Sequence, residues 1–446
     1  MTLEQAEALH NELRSAESSR AGTGYLSLTI EVTPLDALAV LETLDEKGPR
    51  AYLETPSRGV AFAAGTPVDA WQGCGASRFA DADHWLTAMS AKVASVGRAP
   101  RICARFPFHP GVAESTQTSR LFLPAWQVLT QGGRTEVTLV EPASPGAAQR
   151  LAERAELFQR FTYRAGRSGS ESHEPPVLSE VGGSWYPSAV RRATELIREG
   201  AFEKIVLTRA FDWRRTAPFD IHATLHRLRS ANPACHAFLA DTPSGVLVGA
   251  TPETLLSITS DEIRTEAVAG TTRRGASPSE DAALADALLA SEKDNREHGA
   301  VTASILRRLR MVGVEGAVSS KPELLRLGKV MHLRTPVLGT LPPGRRLLEV
   351  AGELHPTPAV GGKPRVQALP FIPGFEPHDR GLYTGAIGWV GLDGRSGELL
   401  VALRCAEISG TRARAYAGAG IVDGSDPAVE ATETEMKLRT ILDSLA

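Results

Sequence analysis

Two short acidic stretches carry side chains whose spacing could hold a cation. In "ASEKDNREH" (290–298) Asp294 and Glu297 lie three residues apart, and in "EATETEMK" (430–437) Glu430 and Glu433 repeat that interval. Residues i and i+3 share a helical face, so each pair would present two carboxylates side by side. Lys437 follows Glu430 by seven positions and falls on the same face. Two such pairs on separate helices suit a hard cation such as Mg²⁺. That ion takes one or two carboxylates, keeps waters and accepts oxygens from an anionic substrate. Lys437 would then reach the same anion. On spacing alone, two solvated, ion-paired helical faces explain the pattern equally well. The apolar seam Leu288, Leu289, Val301, Ile305 and Leu309 sets the first pair at the edge of a buried face.

Four further residues stand where a charge or an imidazole is unusual. Lys204, in "EKIVLTRA", is one of only eight lysines in the chain. In a strand it shares a face with Val206 and Thr208. In an apolar cleft its pKa would fall and it could act as a general base; the ordinary alternative is a snorkelling surface lysine. Glu253, in "GATPETLL", is either a charge at a helix start or an acid at the mouth of a cleft. Arg404 interrupts the strand-like "VALRCAEI", where it would form a half-buried ion pair or grip a carboxylate in a fork. His332, in "VMHLRTP", reads by default as a hydrogen-bonded core or loop histidine.

The elements that must position these groups are readable in outline. Short strand runs ("GYLSLTIEV", "GVAFAAG", "ICARFPF", "RTEVTLVE") alternate with helical ones ("TPLDALAVLETLDEK", "DADHWLTAMSAKVASV") up to about residue 160. The Gly-, Ser- and Pro-rich 165–184 segment predicts an exposed loop or lobe boundary. A helix over 186–200, with Pro187 in its first turn and Gly200 at its end, leads into the strand of Lys204. Strands are expected at 245–251, 381–392, 397–408 and 412–422, the last two forming a hairpin at Gly410. Long helices are expected over 278–312 and 427–445, the second capped by Asp426 with Pro427 in its first turn. Strands and helices do not alternate cleanly, so α+β or mixed α/β is favoured over a doubly wound sheet.

Composition excludes several classes. The 446 residues carry a formal net charge of −3, which calls for neither nucleic acid nor anionic membrane. No run reaches the ~18 apolar residues of a membrane span, and no apolar leader opens the chain. Cys74, Cys103, Cys235 and Cys405 are scattered, as in a reduced, cytoplasmic protein. "GAGIVDG" (418–424) spaces its glycines GxGxxxG and lacks a following strand and acid, so a turn or an anion-holding nest is favoured over a dinucleotide site.

Taken in order, "KIVLTRA", "ATPETLL", "TEAVAGTTRRG", "ASEKDNREH", "VMHLRTPVLGTL", "LHPTPAVGGKPR", "LYTGAIGW", "ALRCAEISG" and "RAYAGAGIVDGSDPAVEATETEMKL" resemble the chorismate-binding enzymes. That family includes isochorismate, salicylate, anthranilate and aminodeoxychorismate synthases. The resemblance is dense over 186–443 and thinner over 1–165. It implies a single domain of two antiparallel sheets flanked by helices, with the active site in the cleft between them. It also implies Mg²⁺ held by Glu297 and Glu433, supported by Asp294 and Glu430. Gly270, Thr271, Tyr383, Arg404, Gly418, Gly420 and Lys437 match substrate-contacting positions, and His332 a catalytic position near the ring carboxylate and pyruvyl group.

Within the family, Lys204 and Glu253 match the base and acid of the members that add water at ring carbon 2 while the hydroxyl of carbon 4 leaves. Anthranilate synthases carry glutamine at the position of Lys204, and aminodeoxychorismate synthases a lysine at that of Ala269. No amidotransferase partner is therefore expected, and chorismate is the expected small-molecule substrate of a monomer or homodimer. Isochorismate synthase is the reading favoured over salicylate synthase, chorismate amination or a non-catalytic chorismate-binding protein. The 52–67 segment resembles the family's N-terminal strand pair without the motif that shapes a feedback pocket in anthranilate synthases.

Overall fold

The computed structural model describes residues 3–20, 23–44, 48–111, 118–161, 177–318 and 321–445. Two antiparallel sheets share one bent pair of long strands. Val60–Gly73 and Ser119–Gln131 pair from Ala61 opposite Thr130 to Gly73 opposite Ser119, with a register shift between Pro67 and Asp69. Pro67 faces Pro124 at that point. Neither proline donates to the ladder, so the pair bends there and its two halves enter different sheets.

From one half of the pair the first sheet continues through Arg50–Thr55, His236–Asp241, Val246–Thr251, Cys405–Ser409, Arg412–Ile421 and Lys204–Arg214. From the other half the second sheet continues through Arg101–Phe106, Ala386–Gly391, Gly397–Val401, Thr254–Thr259, Glu262–Arg273 and Val330–Thr340. Leu53, Phe62, Phe238 and Tyr416 of the first sheet meet Phe122, Ile387 and Leu400 of the second in an apolar layer between them. Helices cover the outer faces. Arg78–Lys92, Glu292–Met311 and Leu347–Leu354 pack on the second sheet, and Ile221–Ala231 and Pro427–Leu445 on the first. The α+β class read from the strand and helix patterns is present, with the two-sheet plan that the family resemblance implies. One departure is the parallel pairing of Tyr25–Val32 with Val93–Val96, a strand that the sequence places in the preceding helix.

Two expected elements are divided and a third is shorter. The 278–312 helix is two helices, Pro278–Ala290 and Glu292–Met311, broken at Ser291. The break turns Leu289 outward to 40% exposure, so it is not part of the apolar seam. The 397–408 strand is also two, and its halves lie in different sheets; the chain crosses over at Ala402–Arg404, with Arg404 at φ 51°. Within 381–392 the strand itself begins at Ala386. The expected 165–184 loop falls outside the described residues up to 176, and Val177–Glu180 is a short strand on the edge of Lys204–Arg214.

Candidate active site

The far ends of the two sheets and the first turns of two helices enclose a cavity of about 260 Å³. It is lined by every residue singled out from the sequence: Lys204, Glu253, Gly270, Thr271, Asp294, Glu297, His332, Tyr383, Arg404, Gly418, Gly420, Glu430, Glu433 and Lys437.

One wall is built from carboxylates and lysines. Lys204, at the start of its strand, is buried and donates from Nζ to Glu297 Oε1 at 2.7 Å. Gly420, on the neighbouring strand, makes room for it: a Cβ there would stand 2.6 Å from Lys204 Cε. Burial would raise the pKa of Glu297, but Lys204, and behind it Lys437 and Lys293, hold it below the usual range. Lys437 pairs with Glu433 at 2.5 Å and donates to the Gly418 carbonyl at 3.0 Å. Glu430 lies deeper, and burial raises its pKa despite a hydrogen bond from Ser425.

The breaks in the helices place these acids. Ser291 caps the second helix by accepting the Asp294 N–H at 3.2 Å, and its hydroxyl donates to the Asp294 carboxylate. Asp426 does the same for its helix, accepting the N–H groups of Ala428 and Val429. Both acidic pairs therefore sit near positive helix ends, which favour carboxylates. Gly270 faces Asp294 at φ 77°, where a Cβ would come within 3.2 Å of it.

The other wall holds an acid of different character. Glu253 is in no helix; it sits between Val246–Thr251 and Thr254–Thr259 at 4% exposure. Burial, then the charge of Glu266, push its pKa up to about 8. Its backbone is fixed on both sides: its N–H reaches Thr251 Oγ1 at 3.2 Å, and its carbonyl accepts the Val401 N–H at 3.1 Å. Thr357 offers its hydroxyl to Oε1 at 3.5 Å.

Arg404 and His332 form the polar floor. A guanidinium nitrogen of Arg404 meets His332 Nε2 at 3.3 Å, and Nδ1 lies 3.0 Å from Thr271 Oγ1. Arginine only donates, so Nε2 accepts and the ring proton is on Nδ1. Burial, Arg404 and Lys437 keep this imidazole neutral by lowering its pKa well below 6.5. Tyr383 stacks on Tyr416 with ring centroids 4.9 Å apart.

This geometry can be set beside known proteins. The family model described as "Chorismate binding enzyme" matches residues 9–446. The chain belongs to the chorismate binding enzymes. It is 34% identical over 432 residues to the salicylate biosynthesis isochorismate synthase of Pseudomonas aeruginosa, covering 94% of this chain and 90% of that protein. It is 38% identical over 260 residues to the isochorismate synthase EntC of Escherichia coli, covering 58% and 66%. The fold matches MenF, the menaquinone-specific isochorismate synthase of Escherichia coli, at a TM-score of 0.79 and 27% identity, over 97% of this chain and 100% of that one.

In this chorismate binding enzyme several contributors escaped sequence reasoning. Glu266 accepts the N–H of Thr254, next to Glu253, at 2.8 Å, and pairs with Arg334 at 2.5 Å. Arg380 is fully buried and forks onto Glu376 at 2.9 and 2.6 Å. It also donates to the carbonyls of Val206 (2.7 Å) and Val360 (2.8 Å), while Glu376 accepts the Thr208 N–H at 2.8 Å. Strand Lys204–Arg214 is paired on that edge by Gly362–Lys363 at its first two residues and by Val177–Glu180 over Phe211–Arg214. The Glu376–Arg380 pair fills the gap between these partners, so two side chains substitute for a neighbouring strand there. The i, i+4 interval of "FEPHDR" was the available sign.

Proposed function

We propose that this protein is an isochorismate synthase, isomerising chorismate by adding water at ring carbon 2 with loss of the hydroxyl at carbon 4. The observation that carries the reading is that one cavity is lined by both a buried lysine, Lys204, and a buried carboxyl, Glu253, whose pKa burial pushes up to about 8. A group that must donate a proton to a leaving hydroxyl needs that kind of shift. Glu253 gives its proton to the departing hydroxyl, which leaves as water. Lys204, in its neutral form, takes a proton from the attacking water. After one turnover Lys204 has gained a proton and Glu253 has lost one, and exchange with solvent resets both. Lys204 Nζ donates to Glu297, so the base role requires Glu297 to be engaged elsewhere.

Arg404 and Lys437 are the cations available to the substrate's two carboxylates, and Arg404 can fork onto one of them. The neutral His332 ring, with its proton on Nδ1, fixes the Arg404 side chain from below. The donor set fits Mg²⁺. Asp294, Glu297, Glu430 and Glu433 are hard oxygen donors facing one cavity. Among the described residues, no three His, Cys, Asp or Glu side chains are grouped closely enough to ligate an ion alone. Waters and substrate oxygens would have to complete the shell of such a cation. Glu297 and Glu433 would hold it, and when bound it would anchor a substrate carboxylate.

The test is incubation with chorismate and Mg²⁺, with products resolved chromatographically. Isochorismate alone, abolished by a chelator and restored by Mg²⁺, is expected. Salicylate plus pyruvate would move the assignment to a salicylate synthase, and binding without turnover to a non-catalytic protein.

A further inference from the structure

A second groove, of about 720 Å³, shares no lining residue with the active-site cavity. It opens over the first turn of helix Arg78–Lys92 and along Leu347–Leu354. Its three carboxylates are all committed: Asp83 to Arg346 at 2.7 Å, Glu353 to Arg308 at 3.1 Å, and Glu349 to Arg345. Two of its cations, Arg78 and Arg365, have no carboxylate partner among the described residues. Arg78 is only 6% exposed, yet its Nε has no hydrogen-bond partner and its terminal nitrogens reach the Gly75 and Pro107 carbonyls only at 3.4 Å. Arg365 uses one nitrogen for the Glu353 and His355 carbonyls, each at 2.9 Å.

A buried guanidinium without a counter-charge is costly and is ordinarily paired. Burial, and next to it Arg365, push the pKa of Arg78 down to about 10, the mark of a cation whose environment lacks an anion. The helix end adds to this. Ser77, at the N-cap, donates its hydroxyl to Asp81 at 2.7 Å and caps no backbone N–H with its side chain. The positive end of a helix and a forked guanidinium both recognise oxyanions.

We propose that the groove at Arg78 and Arg365 is a second ligand site that takes a small oxyanion, a phosphate or carboxylate group. The site does not depend on the isomerase reading. Calorimetric titration at constant ionic strength tests it, with inorganic phosphate in one arm and succinate in the other. One saturable equivalent per chain is expected, and the arm that binds more tightly names the source of the anion. Arg78→Met is expected to weaken binding by roughly tenfold or more, and to melt no lower than the parent without ligand, because it removes an unpaired buried charge. Arg404→Gln, in the active site, should leave the affinity unchanged. Arg78→Lys keeps the charge, loses the fork and should also bind more weakly; it serves where the methionine variant does not fold. The proposal is overturned if neither anion gives saturable heat, if both Arg78 variants bind as the parent does, or if Arg404→Gln abolishes binding.

Discussion

At the scale of single residues, two protons carry the proposed chemistry, and each can be tested separately. Lys204→Ala should reduce isochorismate formation by on the order of 10²–10⁴-fold, while Mg²⁺-dependent binding of chorismate, followed by calorimetry, persists. Near-normal turnover would remove Lys204 from the base role. Glu253 makes a prediction about pH. Its carboxyl is raised from 4.5 to about 8 in the folded chain, so between those values the native state keeps a proton that the unfolded chain has lost. Stability from this group is complete below the lower value and falls as pH rises through the upper one. Glu253→Gln should therefore melt with the parent near pH 5 and above it near pH 9, by on the order of 1–3 kcal/mol. In the parent, kcat/KM should decline on the alkaline side near pH 8, where the acid loses its proton. An alkaline limb far above that pH would remove Glu253 as the acid.

At the scale of elements, the break at Ser291 decides where the first acidic pair points. Ser291→Ala should cost about 1 kcal/mol in urea unfolding. It should also weaken Mg²⁺ dependence, because the same hydroxyl holds Asp294. Unchanged stability and metal response would show that the cap is idle. The break illustrates what the chain could disclose. Residue spacing placed Asp294 beside Glu297 and Glu430 beside Glu433, since both pairs survive wherever a helix starts. The apolar run through Leu288 and Val301 reads as one continuous helix, and only the S-x-x-D interval from Ser291 to Asp294 marks a second beginning. The 397–408 run misled in the same way. Its alternation persists across Arg404, but the left-handed backbone there belongs to tertiary structure, because it lets the chain change sheets. Glu266 and Thr357 were out of reach for a related reason: each acts on Glu253 from a different strand or loop, and no local pattern ties them to it.

At the scale of the whole molecule, the Glu376–Arg380 pair secures the Lys204 strand to the rest of the cleft. Arg380→Ala would leave Glu376 buried without its counter-charge and free two carbonyls, at a cost of about 3–5 kcal/mol. Thermal unfolding checks the loss, and a variant as stable as the parent would show that the strand edge is held by other means. The two-sheet plan was legible only through family resemblance; strand patterns alone gave the α+β class and one pairing, the hairpin at Gly410. The shared strands Val60–Gly73 and Ser119–Gln131 come from the divergent N-terminal part, whereas the cavity is built from the motif-rich part. That division has a consequence for synthesis. Arg101–Phe106 bonds to Ala386–Gly391, so this strand waits for a partner that lies far downstream in the chain. Pairing over so long a separation is slow and leaves unsatisfied edges in the meantime. The earlier strands therefore stand open while the intervening chain is made, and the cleft closes only once helix Pro427–Leu445 has emerged.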